Sequence, residues 1–250
     1  MVFRRDALAE IHDELSQRPS DVISYSGSGL MEESAPFRLQ RPPFSGRSEE
    51  YETEWVARLL TLSIEPWGSP NMLNSFASHK VLDEMRAAYP DLMTSIAPDV
   101  SFRIHVLDHV PRVRFLDVPL MLSYSVASST GAANTSGRSN DAARDSAARV
   151  EKGGGLSFAP IPGIITNHNI LTNEHCRMRS QQRSGHFIPV DLPRYCRRLR
   201  RELTHLGAGA VAWRRLETFT RENNVPDAPA ALGSRLKHAL RSRQRSAWPS

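Results

Sequence analysis

Apolar side chains recur at every third or fourth position in several stretches of the chain, a spacing typical of helices with one buried face. These stretches are 3–17, 50–64, 74–88, 99–109, 164–178, 194–206 and 209–222. Alternating apolar and polar positions predict strands at 21–26 and 112–117, and a short apolar run predicts a third strand at 119–125. Gly27, Ser28 and Gly29 are expected to form a loop after the first strand. Helices and strands that alternate in this way indicate the α/β fold class.

Shifts in composition divide the chain into four parts. Residues 1–126 contain the three predicted strands and are expected to form the main domain. Residues 127–155 are rich in Ser, Gly, Ala and Asn and end in three glycines, which predicts a flexible loop. Residues 156–225 are expected to form a helical C-terminal extension, and residues 226–250 a basic tail.

The overall composition narrows the class of protein. The chain has 250 residues, of which 40% are hydrophobic and 24% charged, as is usual for a globular protein. No apolar run approaches the roughly 20 residues of a membrane-spanning helix, and the N-terminus lacks the apolar segment of a signal peptide. Cys176 and Cys196 are too few for a disulfide framework. These features predict a cytoplasmic protein with reduced thiols.

The charge is unevenly distributed. The net charge is +5 at pH 7, but residues 1–176 carry 16 Lys and Arg against 22 Asp and Glu, whereas residues 177–250 carry 16 against 5. The basic surplus includes one face of the predicted helix 194–206. Three interpretations remain open for this helix: a solvated face of an ordinary amphipathic helix, peripheral contact with an anionic membrane, or phosphate contacts with nucleic acid. No helix-turn-helix, zinc-finger or RNP pattern supports specific nucleic-acid binding.

Four segments of the chain carry a family resemblance. They are Pro-Asn-Met-Leu-Asn-Ser-Phe-Ala-Ser-His-Lys at 70–80, Ser-Ile-Ala-Pro-Asp-Val-Ser-Phe-Arg at 95–103, Pro-Leu-Met-Leu-Ser at 119–123 and Ser-Ser-Thr-Gly at 128–131. In this order, the segments resemble the acceptor-side half of a family 2 glycosyltransferase with the GT-A fold. The resemblance implies a partial GT-A sheet with flanking helices. It also implies transfer of a sugar from a nucleotide-sugar donor to a glycan or other cell-envelope acceptor.

The same resemblance assigns the central role to Asp99. In the family, an Asp or Glu at the start of a helix removes the proton from the acceptor hydroxyl, so Asp99 would be the general base of an inverting transfer. The N-terminus of a helix favours a carboxylate, which suits this role. A simpler interpretation also exists, because Pro-Asp before an apolar helix is a common helix cap.

Further substrate-binding residues follow from the other resembling segments. The amide of Asn74 and the hydroxyl of Ser75 are candidates for hydrogen bonds to sugar hydroxyls, or are alternatively turn and cap residues. Trp67 is a candidate for stacking on a sugar ring, or alternatively packs on the core. Ser129 and Thr130 match a loop that closes over the donor in the family, although their small polar side chains also suit a linker.

The donor-binding half of such an enzyme has no counterpart in the sequence. Family members hold the Mn²⁺ or Mg²⁺ that bridges the donor phosphates with an Asp-x-Asp motif, and no such motif occurs in these 250 residues. A divalent cation is therefore expected for the full-length enzyme but has no identifiable motif in this chain. Whether the chain alone is an enzyme stays open. The alternative is a non-catalytic glycosyltransferase remnant that binds a glycan or a partner, and a basic protein associated with nucleic acid is a third, weaker hypothesis.

Histidine spacing gives weaker indications of metal binding. His105 and His109 lie four residues apart on the predicted helix 99–109, a spacing that zinc sites use, but no third ligand is identifiable. His168 lies downstream of Asp99, in the part of the chain where some relatives place a metal-binding histidine. Its local match is too poor to assign a site, so no metal ligand is predicted.

Overall fold

The computed structural model describes residues 2–31, 38–40, 44–62, 64, 68–89, 97–125, 148, 150 and 155–226. Within these ranges the protein is mixed α/β, with one sheet and flanking helices. The strands are β1 (Val2–Phe3), β2 (Val22–Met31), β3 (Arg38–Gln40), β4 (Ser48–Glu52), β5 (Ser75–Ala77) and β6 (Arg112–Ser125). The helices are α1 (Ala7–Gln17), α2 (Thr53–Thr61), α3 (His79–Ala88), α4 (Pro98–His109), α5 (Asn167–Gln181), α6 (Leu192–His205) and α7 (Ala210–Glu222).

The sheet is built around a parallel pair of long strands, β2 and β6. On its outer side, β6 pairs antiparallel with β4 along its first half and with β1 along its second half. On the opposite side, β2 pairs antiparallel first with β5 and then with β3. Because β2 and β6 run in the same direction, the chain between them must cross back over the sheet, and α2, α3 and α4 lie in this connection.

A bulge in the middle of β6 joins two segments that the sequence predicts as separate strands. The register moves from Tyr25 opposite Leu116 to Ser26 opposite Pro119 and then to Gly27 opposite Met121, so three residues of β6 lie outside the regular ladder. One of them, Asp117, accepts a hydrogen bond from Oγ of Ser26 at 2.7 Å. Pro119 has no backbone N–H to donate to the hydrogen-bond ladder, and the bulge accommodates this proline within the strand. The prediction of two strands at 112–117 and 119–125 was therefore wrong in dividing one strand.

The predicted loop at Gly27 to Gly29 was also wrong, because these residues continue β2. Gly27 pairs with Met121, and a Cβ atom on Gly27 would lie 3.2 Å from the Met121 carbonyl oxygen. The glycine therefore permits close packing of the two strands rather than a turn.

Two predicted helices begin later than expected, because β4 precedes α2 and because β5 precedes Ser78, whose side chain caps α3.

Helices cover both faces of the sheet. The larger core packs α2, α3 and α4 against apolar residues of β2 and β6, such as Val22 and Val113. A second core packs Ala7 and Ile11 of α1 against residues from the same two strands. Because both faces are covered, β2 and β6 are largely buried, as is usual for parallel strands.

The C-terminal helices have a core of their own. Tyr195, Leu199 and Leu203 of α6 pack against α7 and against Ile161 and Ile164. The apolar face of α6 is therefore covered by protein, whereas Arg198 and Arg201 on this helix are exposed. Peripheral membrane contact through this helix stays a prediction that depends on the arginines. In the part of the chain that the structure describes, no helix combines the length and the apolar character needed to span a bilayer.

Asp108, near the end of α4, connects the main domain to the C-terminal segment. Its carboxylate accepts hydrogen bonds from the Tyr89 hydroxyl at 2.5 Å, from the Ser184 hydroxyl at 2.5 Å and from the backbone N–H groups of Arg183 and Ser184 at 2.9 and 3.0 Å. Most of the predicted loop at 127–155 and the tail beyond residue 226 lie outside the described residues.

Candidate functional site

Asp99 lies in the first turn of α4, directly after Pro98. The N-cap position belongs to Ala97, and the Asp99 side chain makes no hydrogen bond to the start of the helix. Its half-buried carboxylate accepts one hydrogen bond at Oδ2, from Nδ2 of Asn71 at 3.4 Å. Among the described residues, Asp99 has no other hydrogen bond and no ion pair. Oδ1 is therefore left for a partner from outside this part of the chain.

The loop 68–75 holds Asn71 next to Asp99. The Asn71 side-chain oxygen accepts a hydrogen bond from the backbone N–H two residues further on, at 2.9 Å, which closes an Asx turn. This bond turns the amide NH₂ group toward the carboxylate. The Pro70 carbonyl accepts a hydrogen bond from Nε of Arg103 at 2.9 Å, so the loop is anchored on the helix that carries Asp99.

Asn74 and Ser75 lie in the same loop, and both are partly buried. Nδ2 of Asn74 donates to the Tyr25 carbonyl at 3.2 Å, and the backbone N–H of Tyr25 donates back to the Asn74 carbonyl at 2.9 Å. The Ser75 hydroxyl accepts a hydrogen bond from the backbone N–H of Asn71 at 3.0 Å. The two side chains thus join the loop to β2 and support Asn71. The structure brings Asp99, Asn74 and Ser75 into one region, whereas Trp67, Ser129 and Thr130 lie outside the described residues.

A cleft opens along α4 beyond Asp99, where the end of α2 approaches α5 and α6. The cleft is narrow, with a cavity volume of about 40 Å³. Its walls are apolar where they are formed by Leu60, Ile64, Val100, Ile104, Leu171 and Val190. Two arginines, Arg103 and Arg198, and two histidines, His168 and His175, add polar groups to the lining.

The two histidines lie two helical turns apart on α5, and each is only 4% exposed. Nε2 of His175 lies 3.0 Å from the Ile188 carbonyl oxygen and 3.4 Å from the Thr61 hydroxyl. Because a carbonyl only accepts hydrogen bonds, Nε2 carries the proton and Nδ1 has a lone pair. Neither Nδ1 of His175 nor Nε2 of His168 has a hydrogen-bond partner among the described residues.

Burial keeps both imidazoles neutral. Burial, together with the nearby charge of Arg198, lowers the pKa of His168 to about 3, although the hydrogen bond with the Tyr195 backbone partly opposes the shift. Burial also lowers the pKa of His175, against the opposing effect of the Ile188 carbonyl. At neutral pH each ring therefore has one protonated nitrogen and one that accepts hydrogen bonds.

Other buried polar side chains on α5 have structural partners. Nδ2 of Asn169 donates to the carbonyls of Ile161 and Ile164 at 2.8 and 2.6 Å, and its Oδ1 accepts from the Tyr195 hydroxyl at 2.6 Å. Oδ1 of Asn173 accepts two backbone N–H groups. These amides fasten the segment before α5 and the helix α6, so their burial is explained by the fold.

The histidine spacing noted on α4 does not form a metal centre. Nδ1 of His105 lies 2.6 Å from the Ser101 carbonyl, whereas Nε2 of His109 lies 3.0 Å from Oε2 of Glu84. The two rings thus have separate partners. Within the described ranges, no group of three or more His, Cys, Asp or Glu side chains is arranged to hold a metal ion.

Comparisons with protein-family models, with curated proteins and with solved structures find no match to this chain. The function is therefore inferred from the local geometry of the site. Sequence patterns missed the contact of Asn71 with Asp99 and the cleft with its two histidines. The repeated polar positions His168, Thr172 and His175 in a predicted helix were the one available signal for the cleft.

Proposed function

We propose that this chain is the acceptor-side part of a glycosyltransferase that transfers a sugar from a nucleotide-sugar to a glycan or other cell-envelope acceptor. The observation that supports the proposal is the contact of Asp99 with the loop 68–75. Two of the segments that resemble family 2 glycosyltransferases, separate in sequence, meet where Asn71 bonds the Asp99 carboxylate. Among the described residues Asp99 makes no capping bond, which favours the role of base over that of a helix cap.

The proposed chemistry is a proton transfer coupled to an inverting displacement. Oδ1 of Asp99 accepts the acceptor hydroxyl proton as that oxygen attacks the anomeric carbon of the donor and the bond to the nucleoside diphosphate breaks. Asn71 holds the other carboxylate oxygen and so fixes the direction of Oδ1. The donor and its divalent cation would belong mainly to a nucleotide-binding half, because the Asp-x-Asp motif that holds the cation in the family does not occur in this sequence.

The test is a pair of aspartate variants of the full-length enzyme, which includes the nucleotide-binding half. Asp99→Asn preserves the shape of the side chain but removes the base, whereas Asp83→Asn changes an exposed aspartate on α3. Release of nucleoside diphosphate is measured with UDP-, GDP- and dTDP-sugars, Mn²⁺ and a panel of glycan acceptors. We expect release that depends on the acceptor and falls by about 10²- to 10⁴-fold in Asp99→Asn alone. Equal release by both variants would remove Asp99 from this role.

A binding module is the second candidate, because the sequence contains no Asp-x-Asp motif of the kind that holds the donor's cation in the family. Such a module would bind a glycan without turnover and would show no saturable binding of a nucleotide-sugar in the presence of Mn²⁺. A glycan array probed with the full chain, followed by titration of any glycan that binds, separates this outcome from the first. If the full-length enzyme releases no nucleotide and this chain binds no glycan, both candidates are wrong.

A further inference from the structure

Exposed apolar surface is concentrated in a groove between the start of α1 and the loop 68–75. Of the nine large apolar side chains that are exposed among the described residues, four line this groove: Phe3, Leu8, Met72 and Leu73. The rings of Tyr25 and Phe76 add to its lining, and its cavity volume is about 510 Å³. Monomeric proteins rarely leave apolar side chains gathered in one exposed patch, so the groove indicates a partner that covers it.

The outer face of α1, next to this groove, carries a line of three exposed residues. Arg5, in the turn that begins the helix, is followed at intervals of four residues by Ala9 and Asp13, so the three lie along one face. Glu10 and Glu14, at the sides of the helix, each lie against an arginine. Arg5 and Asp13 make no ion pair within the ranges that the structure describes. Two opposite charges are thus presented, unpaired, on either side of Ala9.

This arrangement of charges is complementary to itself. When two copies of α1 pack side by side in opposite directions around a two-fold axis at Ala9, Arg5 of each copy lies opposite Asp13 of the other. The small side chain of Ala9 lets the two helices approach closely. Leu8, which is 65% exposed, lies beside Ala9 and so faces the groove of the second copy.

Other partners would use only part of this surface. An anionic ligand would be attracted by Arg5 and repelled by Asp13, and a cationic ligand the reverse. An uncharged apolar ligand would fill the groove and leave both charges unpaired. A second copy pairs both charges and covers the groove at the same time. Exposed ion pairs contribute little affinity, so the apolar contact supplies most of it and the charges set the direction of the helices.

We propose that the protein forms a two-fold symmetric dimer in which the two α1 helices pack antiparallel and Leu8 of each copy enters the groove of the other. Two pairs of Arg5 with Asp13 fix the direction of the helices. Because one short helix and one groove make a small interface, we expect the dimer to dissociate at micromolar concentrations. This dimer is independent of the glycosyl transfer proposed above, because its surface does not include Asp99.

The experiment is sedimentation equilibrium of the full 250-residue chain over a range of micromolar concentrations. We expect the mass to rise from 28.0 kDa towards twice that value as the concentration increases. Arg5→Asp and Asp13→Arg should each weaken the dimer about ten- to thirtyfold, because each places two pairs of like charges in contact. An equal mixture of the two variants should regain the wild-type affinity, since their heterodimer contains both charge pairs. Arg86→Asp makes the same charge change at an exposed position on α3 and should have no effect.

A second pair of variants tests the apolar contact. Leu8→Glu should abolish the dimer across the measured range, because it places a carboxylate in an apolar groove. Val211→Glu introduces the same charge at an exposed position on α7 and should leave the dimer unchanged. All the altered side chains are exposed, so each variant should keep the wild-type circular dichroism spectrum.

Four results would overturn the proposal. Wild-type protein that stays monomeric at every concentration excludes the dimer. A dimer that survives Leu8→Glu uses another surface. A mixture of Arg5→Asp with Asp13→Arg that remains monomeric shows that these two residues do not face each other. Saturable binding of dodecyl phosphate by monomeric wild type would show that an amphiphile, and not a second copy, covers the groove.

Discussion

Replacement of Asp108 by Asn tests whether one buried carboxylate fastens the C-terminal segment to the main domain. The side chain is 6% exposed and accepts four hydrogen bonds, from Tyr89, Arg183 and Ser184. Hydrogen bonds to a charged group contribute roughly 1.5–3 kcal/mol each, and an amide oxygen retains only part of this set. We therefore expect Asp108→Asn to lower the free energy of unfolding by about 3 kcal/mol. For a domain of this size, that corresponds to a fall in Tm of roughly 6–12 °C.

The pH dependence of this loss gives a second check. Burial by itself would raise the pKa of Asp108, but the hydrogen bonds from Ser184, Tyr89 and two backbone N–H groups outweigh it and hold the pKa below its ordinary value. The stabilisation is therefore complete above the unfolded pKa of roughly 3.9 and is lost as pH falls through the lower folded pKa. Urea denaturation should show a constant difference between wild type and Asp108→Asn from about pH 5 to 8, shrinking below about pH 4. A difference within 0.5 kcal/mol at pH 7, about the size expected for the exposed control Asp83→Asn, would refute the reasoning.

Two further predictions concern a glycine and the thiols. Gly68 has a positive φ, and an alanine there would cost roughly 1–2 kcal/mol for its left-handed backbone conformation alone. Its Cβ would also lie 2.3 Å from the Phe115 ring, so Gly68→Ala should lower the free energy of unfolding by more than this amount. Gly185→Ala has a similar positive φ with open space around it, and equal losses in urea titrations of the two variants would contradict the steric argument. Burial raises the pKa of the Cys196 thiol to about 11 and also raises that of Cys176, so an aromatic disulfide reagent should label both thiols much more slowly in the native state than in denaturant. Rapid native labelling of Cys196 would show that this thiol is not buried.

Much of the secondary structure follows from local patterns. The helices α4 and α7 begin within one residue of their predicted starts, because apolar spacing and a proline or glycine mark their beginnings. The strands β2 and β6 were recognised but their lengths were not. The bulge at Pro119 depends on Ser26, which binds Asp117 from another strand, and such a long-range contact leaves no mark in the local pattern.

The candidate site was less predictable than the fold. Asp99 was identified through a family resemblance, and its surroundings could not be inferred from spacing. Asn71 reaches Asp99 because an Asx turn rotates its amide, and the loop is held by Arg103 through a backbone carbonyl. The environment of His168 depends equally on the packing of α4 against α5. The position of a polar residue in a helical sequence pattern does not reveal whether its side chain is buried, or which of its atoms lack hydrogen-bond partners.

The pairing of β2 with β6 also affects how the chain acquires its structure. Ile23 lies opposite Arg114, so the two central strands meet only after the whole crossover, with α2, α3 and α4, has been synthesised and brought back to the sheet. Contacts between such distant residues slow folding, because the entropy of closing the loop opposes them before any pairing stabilises it. During synthesis, β2 therefore presents an unpaired edge until β6 leaves the ribosome. Association of incomplete chains through this edge is the most direct route to misfolding for this protein.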